Sequence, residues 1–285
     1  MSHAIGVNTW VWTSPLTDAR LAELAPMVRD WGFDVIELPV EAPGDWDPGR
    51  AAVLLADLGL SASVVLVMGP GRELVGAPDE VVSSTQDYLR HVVDVAAAVG
   101  SPTIAGPAYT SVGRTWRMSE DEREAAYEQL RDNLGPVVEH AIGAGVTVAI
   151  EPLNRYETSL LNTVEQGLDA LDGLPEEGVG LALDLYHMNI EERDVAEAIR
   201  FAEDRIAHVQ VCANDRGAPG ADHLDWKGIL AALSEVEYRG PLVIESFTAE
   251  NAAIATAASI WRPLAETQDA LAVDGLAFLR ELSGE

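Results

Sequence analysis

Short apolar segments recur along the chain, and four of them lead to a polar side chain: Glu151, Asp184, Gln210 and Glu245. Successive side chains of a β-strand point to opposite faces. In each segment the bulky apolar residues share one parity, and the terminal polar residue has the other. These apolar pairs are Val148 and Ile150, Leu181 and Leu183, Val209 and Val211, and Leu242 and Ile244. The pattern predicts buried parallel strands whose apolar residues face helices and whose four polar ends face one central axis.

Eight such strands alternate with eight helical segments. The strands are predicted at residues 5–11, 35–39, 62–67, 103–106, 146–150, 180–183, 206–209 and 242–244. The helices are predicted at 16–31, 51–58, 78–99, 119–144, 163–171, 194–201, 226–234 and in the C-terminal segment. Regular alternation implies a parallel sheet with right-handed crossovers, and eight units favour closure. The sequence therefore predicts an α/β protein, a (β/α)₈ barrel, as a single domain over residues 1–285.

Three of the inward side chains are carboxylates, namely Glu151, Asp184 and Glu245. They follow strands, at the end of a parallel barrel where ligands bind. Taken alone, Glu151 is equally well interpreted as a helix N-cap or a salt-bridged strand end. Three converging carboxylates, however, repel one another and take up protons unless a cation binds them. The set therefore predicts a divalent metal.

Composition narrows the choice of partners and compartment. Acidic residues outnumber basic ones 47 to 18, which gives a net charge of −29, and Lys227 is the only lysine. Such a charge repels phosphates and anionic membranes, so we expect neither a nucleic acid nor a membrane partner. The one cysteine, Cys212, excludes an intrachain disulfide framework. Without an apolar run of about 18 residues or the features of a signal peptide, a cytoplasmic protein is predicted.

Six segments together resemble a known group of proteins. They are GFDVIELP (32–39), GPAYTSVGR (106–114), EPLNRYE (151–157), DLYHMNIEE (184–192), HVQVCANDRGAPG (208–220) and ESF (245–247). In order and spacing they resemble the sugar phosphate isomerase/epimerase superfamily, the xylose isomerase-like barrels. Within it they are most similar to the 3-epimerases of D-tagatose, D-allulose (D-psicose) and L-ribulose. The resemblance covers nearly the whole chain.

The resemblance implies a cofactor, a site and an assembly. The cofactor is one divalent metal, with manganese favoured and magnesium or cobalt as alternatives. Glu151 and Glu245 match the two metal-bound catalytic glutamates, and Asp184 matches a third ligand. The matched substrate residues are Glu157, His187 and Arg216, with Trp12 and Tyr109 in a sugar-stacking wall. Members of the group often form dimers or tetramers, so a homo-oligomer is expected.

Gln210 departs from this group, which commonly has a metal-bound histidine at that position. Two interpretations remain open: its amide oxygen binds the metal, or it only forms hydrogen bonds and leaves three ligands. An amide oxygen is a harder ligand than imidazole, which favours manganese or magnesium over zinc or nickel. His208, two residues earlier on the same face, is interpreted as a core histidine.

The function predicted from these features is a metal-dependent ketose 3-epimerase that acts on free sugars. Its two catalytic carboxylates remove a proton at C3 and return one to the opposite face, through an enediolate. The alternatives are an aldose–ketose isomerase, a keto-inositol dehydratase or a non-catalytic sugar-binding barrel. Three substrate residues also have structural interpretations: His187 as a helix cap, Arg216 as a partner of Asp215, and Glu157 as a partner of Arg155.

Overall fold

The computed structural model describes residues 3–284, and in it eight parallel strands close into a barrel. Each strand pairs with the next, and the last pairs with the first. The strands are β1 Ile5–Asn8, β2 Val35–Val40, β3 Ser61–Leu66, β4 Thr103–Gly106, β5 Thr147–Ile150, β6 Val179–Asp184, β7 Ile206–Val211 and β8 Leu242–Ile244. The (β/α)₈ barrel predicted from the sequence is confirmed.

Ten α-helices are described, two more than the alternation predicts. They are α1 Asp18–Trp31, α2 Pro48–Leu58, α3 Asp79–Val99, α4 Glu120–Ala144, α5 Val164–Leu171, α6 Leu185–Glu191, α7 Val195–Ala202, α8 Trp226–Glu235, α9 Ala252–Ala257 and α10 Gln268–Ser283. The additional helices are α6 and α9, which are short and follow β6 and β8. Within residues 3–284, no helix is both long and apolar enough to cross a lipid bilayer.

The two faces of each strand pack into separate apolar clusters, as the parity argument predicts. The outer cluster contains the four apolar pairs listed above together with the buried faces of the helices. A smaller inner cluster contains side chains of the opposite parity, among them Val65, Ala105, Ala149 and Ala182. Small inner residues leave room at the centre of the barrel. The strand-end polar side chains share the parity of this inner set.

Two local features at strand ends differ from the predicted elements. The first strand stops at Asn8, whose side chain accepts the backbone N–H of Trp10 at 2.8 Å and opens a 3₁₀ turn over Thr9–Val11. The segment after β6 is the helix α6 rather than a loop, because Asp184 Oδ1 accepts the backbone N–H of Tyr186 at 2.9 Å. Both turns redirect side chains at the ligand-binding end of the barrel.

Candidate active site

Three carboxylates converge at the carboxyl ends of the strands. Glu151 follows β5, Asp184 ends β6 and Glu245 follows β8, and each has at most 7% of its surface exposed. Gln210 lies in β7 directly beside Asp184 in the strand register. The structure thus brings together all four side chains that the sequence predicted to face one axis.

Arg216 lies among these carboxylates and is itself buried. Its Nη1 donates to Asp184 Oδ2 at 2.5 Å and to Glu245 Oε2 at 2.8 Å. The guanidinium stacks 4.1 Å from the ring centre of Tyr186 and 5.2 Å from that of Phe247. Two aromatic faces and two carboxylates therefore fix one cation at the centre of the site.

The pKa values of the two glutamates are perturbed in the same direction. Burial raises the pKa of Glu151 well above its ordinary value, and the nearby carboxylates of Glu245 and Asp184 raise it further. Burial also raises the pKa of Glu245, to about 8, and although Arg216 opposes that shift, Asp184 and Glu37 add to it. Arg216 alone thus does not offset the accumulated negative charge.

A metal-binding geometry is present among the described residues. Single ligand atoms of Glu151, Asp184 and His187 all lie within 4.8 Å of one another. His187 Nε2 lies 3.5 Å from Glu151 Oε1 and 3.5 Å from Asp184 Oδ2. Carboxylate oxygens and imidazole nitrogen both bind divalent first-row metals, so a metal fits this cluster.

The orientation of His187 is fixed by Asn154. The backbone N–H of Asn154 donates to His187 Nδ1 at 3.1 Å, and Asn154 Nδ2 donates to Glu157 Oε1 at 2.8 Å. Burial lowers the pKa of His187, which favours its neutral form. Asn154 therefore connects the two predicted substrate residues His187 and Glu157.

Gln210 is held by two carboxylates. Its Nε2 donates to Glu245 Oε1 at 2.7 Å and to Glu37 Oε2 at 3.0 Å. Its Oε1 is buried and, within residues 3–284, has no hydrogen-bond partner. His208 is buried below it, with Nε2 2.7 Å from Glu37 Oε1, in keeping with the predicted core histidine.

Two predicted wall residues lie elsewhere. Trp12 stacks on Trp31 with ring centres 5.8 Å apart and donates from Nε1 to Asp269 at 2.8 Å, among the outer helices. Tyr109 has no exposed surface, and its hydroxyl donates to the backbone oxygen of Glu151 at 2.9 Å. Both rings belong to the outer apolar cluster. The prediction that they form a stacking wall is therefore corrected: Trp12 packs between helices, and Tyr109 supports Glu151 from behind.

The aromatic residues of the inner cluster are instead Trp10 and Phe247. Their ring centres are 5.6 Å apart, and both side chains are almost fully buried. The reason lies in the 3₁₀ turn after β1. A strand extended to residue 11 would keep Trp12 on the inward face of Asn8, whereas the turn breaks that alternation. The sequence interpretation missed Trp10, Phe247, Tyr186 and Asn154, and only the position of Phe247 two residues after Glu245 gave a signal.

Two structural alternatives from the sequence are also resolved. Arg155 pairs with Glu191, from Nε to Oε1 at 2.9 Å, rather than with Glu157. Asp215 pairs with Arg262 at 2.7 Å rather than with Arg216. Glu157 and Arg216 therefore do not form the ion pairs that the structural interpretations required. Beside Arg216 and Tyr186 a cleft of about 370 Å³ opens to solvent, with Asn214, Ile260, Trp261 and Leu264 in its lining.

A closed parallel barrel with converging carboxylates, an imidazole and a metal-binding geometry at the carboxyl ends of its strands is typical of a metal-dependent barrel enzyme, and comparison with known proteins specifies the family. Residues 26–282 match the family model for the xylose isomerase-like TIM barrel. The chain belongs to this family.

Named relatives cover almost the entire chain. It is 33% identical to a probable ketose 3-epimerase of Synechocystis sp., over 97% of this chain and 95% of that protein. It is 31% identical to a ketose 3-epimerase of Arthrobacter globiformis, over 97% and 96%. A D-allulose 3-epimerase from Methylomonas sp., solved in complex with D-allulose, superposes with a TM-score of 0.89 at 28% identity, over 98% and 97%. The resemblance inferred from the sequence is confirmed, and these relatives are epimerases, enzymes of the isomerase class.

Proposed function

We propose that the protein is a metal-dependent ketose 3-epimerase that acts on free ketoses. One observation carries the proposal: two buried glutamates, Glu151 after β5 and Glu245 after β8, face one pocket from different strands, and burial raises the pKa of both. A carboxylate can both release and accept a proton, so the pair can serve as base and acid. Epimerisation at C3 requires two such groups, one on each face of the carbon atom.

The remaining side chains have matching roles in this scheme. Arg216 donates hydrogen bonds within the pocket, and its aromatic neighbours Tyr186 and Phe247 limit its movement. His187 offers Nε2 to the same space as the carboxylates. Glu157, held by Asn154, is positioned to bind a hydroxyl of the sugar. In this proposal Glu151 and Glu245 exchange the C3 proton, and His187, Arg216 and Glu157 bind and orient the ketose.

The donor set fits a divalent metal. Glu151, Asp184 and Glu245 would supply carboxylate oxygens, and Gln210 would supply Oε1, the buried atom without a partner. All four are oxygen ligands, which favours manganese or magnesium over zinc or nickel. When bound, the cation polarises the ketose carbonyl and stabilises the negative charge that develops on the substrate oxygens.

Free ketoses are the substrate class that the chain's chemistry supports. Only 18 basic residues are present in a chain of charge −29, and the buried cation Arg216 is already engaged by two carboxylates. A phosphate group would need cations to offset its charge. Two relatives are named as 3-epimerases of the free ketoses L-ribulose and D-psicose.

The test is a panel of free ketoses incubated with the manganese-loaded protein in heavy water. We expect a C3-epimeric ketose as product, with deuterium at C3 in both substrate and product by NMR. An aldose as product would establish an isomerase instead, and an enone absorbance in the ultraviolet would establish a dehydratase. Manganese binding without turnover of any ketose would indicate a non-catalytic sugar-binding barrel. The cytoplasmic location and the homo-oligomer stay predictions from the sequence.

A further inference from the structure

The amide of Gln210 has one orientation that its neighbours allow. Nε2 donates at once to Glu37 and Glu245, which come from β2 and from the end of β8. If the amide were flipped, its oxygen would lie against the carboxylate oxygens of Glu37 and Glu245. Both hydrogen bonds would then be lost, because all of these oxygens are acceptors. The arrangement therefore assigns the nitrogen to Glu37 and Glu245 and leaves the oxygen unengaged by either of them.

The oxygen so assigned is buried without a hydrogen-bond partner among residues 3–284. Leaving a polar atom unpaired inside a protein is costly, and such atoms are rare in folded proteins. Gln210 lies beside Asp184 in the register of β6 and β7, next to the carboxylate cluster. An unpaired amide oxygen at this position is available as a ligand.

Glu37 is surrounded by hydrogen-bonding side chains. It has no exposed surface and receives Asn8 Nδ2 at 2.8 Å and Ser63 Oγ at 3.0 Å, with His208 Nε2 2.7 Å away. These contacts occupy the carboxylate and fix its position. Its remaining contact, to Gln210, is the one that reaches the site.

We propose that Glu37 is a positioning residue that fixes the Gln210 amide so that Oε1 is presented to the metal. The inference rests on the proposed function, since it requires a metal that Gln210 binds. A carboxylate behind a metal-bound histidine fixes ring orientation in the same manner. Here the hydrogen bond from Nε2 to Glu37 fixes an amide, and this barrel thereby replaces an imidazole ligand by a neutral oxygen.

The experiment is a double-mutant cycle on metal affinity. Manganese dissociation constants are measured by calorimetry for wild type, Glu37→Gln, Gln210→Ala and the double variant. We expect Glu37→Gln to weaken binding by about 10- to 100-fold, the usual effect of removing a partner behind a metal ligand. In the Gln210→Ala background the same change should weaken binding only about twofold, as expected for a side chain that acts through Gln210.

The cycle separates positioning from simpler effects of Glu37. Loss of its negative charge lowers metal affinity in both backgrounds and cancels in the comparison. An equal loss in both backgrounds would therefore overturn the inference. An unchanged manganese affinity in Gln210→Ala would also overturn it. Gln210 would then not be a metal ligand, although the enzyme could still depend on a metal. A wild-type protein that binds no manganese contradicts the proposed function itself, which is a different result.

Two controls keep a folding defect from being mistaken for a result. Glu73→Gln changes another buried carboxylate, one that accepts hydrogen bonds from Thr110 and Ser111 in the loop after β4 rather than from Gln210, and should leave manganese affinity unchanged. The side-chain NH₂ of Gln210 should give a slowly exchanging signal in ¹H–¹⁵N spectra of metal-free protein. That protection should fall in Glu37→Gln while the global spectrum is retained. Full protection in this variant would contradict the positioning role.

Discussion

The backbone N–H of Asn154 donates to Nδ1 of His187 at 3.1 Å. A backbone N–H can only donate, so Nδ1 presents its lone pair to Asn154. Burial lowers the pKa of His187 and favours its neutral form. Nε2 lies 3.1 Å from Nη2 of Arg216, which is itself a donor, and 3.5 Å from carboxylate oxygens of Glu151 and Asp184. Asn154 thus orients the ring so that Nε2 faces the charged centre of the site.

The first prediction concerns His187. Long-range ¹H–¹⁵N spectra of the metal-free protein should show a bare Nδ1 on His187, the acceptor of the Asn154 backbone N–H. Asn154→Ala should leave Nδ1 bare, because the backbone N–H remains, whereas His187→Ala should lower kcat by about 10²-fold, as expected for loss of a side chain that positions the substrate. A protonated Nδ1 in wild type would contradict the hydrogen bond from Asn154.

The second prediction concerns metal removal. Chelation should abolish epimerisation and lower the melting temperature, because a ligand present at 100 times its dissociation constant stabilises the folded state by about 2.7 kcal/mol. Manganese should restore both, as followed by calorimetry and by a ketose assay. Asp184→Asn serves as the comparison. It removes the charge of one ligand, so manganese should raise its melting temperature less than that of the wild type. Full activity in protein shown by elemental analysis to be metal-free would exclude the proposed metal role.

The third prediction concerns the two catalytic glutamates. Glu151→Gln and Glu245→Gln should each reduce net epimerisation by at least about 10²-fold, the usual weight of general acid–base catalysis. Each variant keeps one carboxylate, so residual exchange of the C3 proton into heavy water should favour a different epimer in each. NMR of the two sugar pools measures this. Near wild-type turnover in either variant, or product without deuterium at C3, is incompatible with the proposed two-base route.

The fourth prediction concerns the choice of metal. Replacing Gln210 with His exchanges an amide oxygen for a softer nitrogen, so relative affinity for zinc and nickel should rise while manganese still binds. Competition titrations of Gln210→His against wild type measure the ratio. Gln210→Ala provides the reference without a side-chain ligand. An unchanged metal ratio in Gln210→His would mean that position 210 does not contact the ion.

The fifth prediction concerns pH and the loops that border the site. Burial would raise the pKa of Glu73, but hydrogen bonds from Ser111, Thr110 and Arg114 outweigh it and the pKa is lowered. Because the unfolded chain takes up this proton at higher pH than the folded protein, the contribution of Glu73 is present above its ordinary pKa of 4.5 and is lost as pH falls through its folded value. Glu73→Gln should therefore be less stable than wild type at pH 7, with the difference shrinking below about pH 4.5 in denaturant titrations. A difference independent of pH would contradict this role.

The sequence by itself determined which side chains face the barrel axis. Strand side chains alternate with a period of two, so the parity of Glu151 against Val148 and Ile150 fixes its direction without knowledge of the partner strands. The sequence also predicted the start of a helix where the signal lies in neighbouring residues. Ser119 and Glu122 form the capping box that their spacing predicts.

Only the tertiary structure decided what those inward side chains contact. Gln210 and Glu37 are 173 positions apart in the chain, and Arg216 meets Glu245 across 29. Neither contact leaves a periodic signal, because each depends on how closure of the barrel brings distant strands together. The same holds for Trp12, which the 3₁₀ turn capped by Asn8 carries away from the inward face of β1. Alternation along a strand is a property of the backbone, whereas the partner of a side chain is a property of the closed barrel.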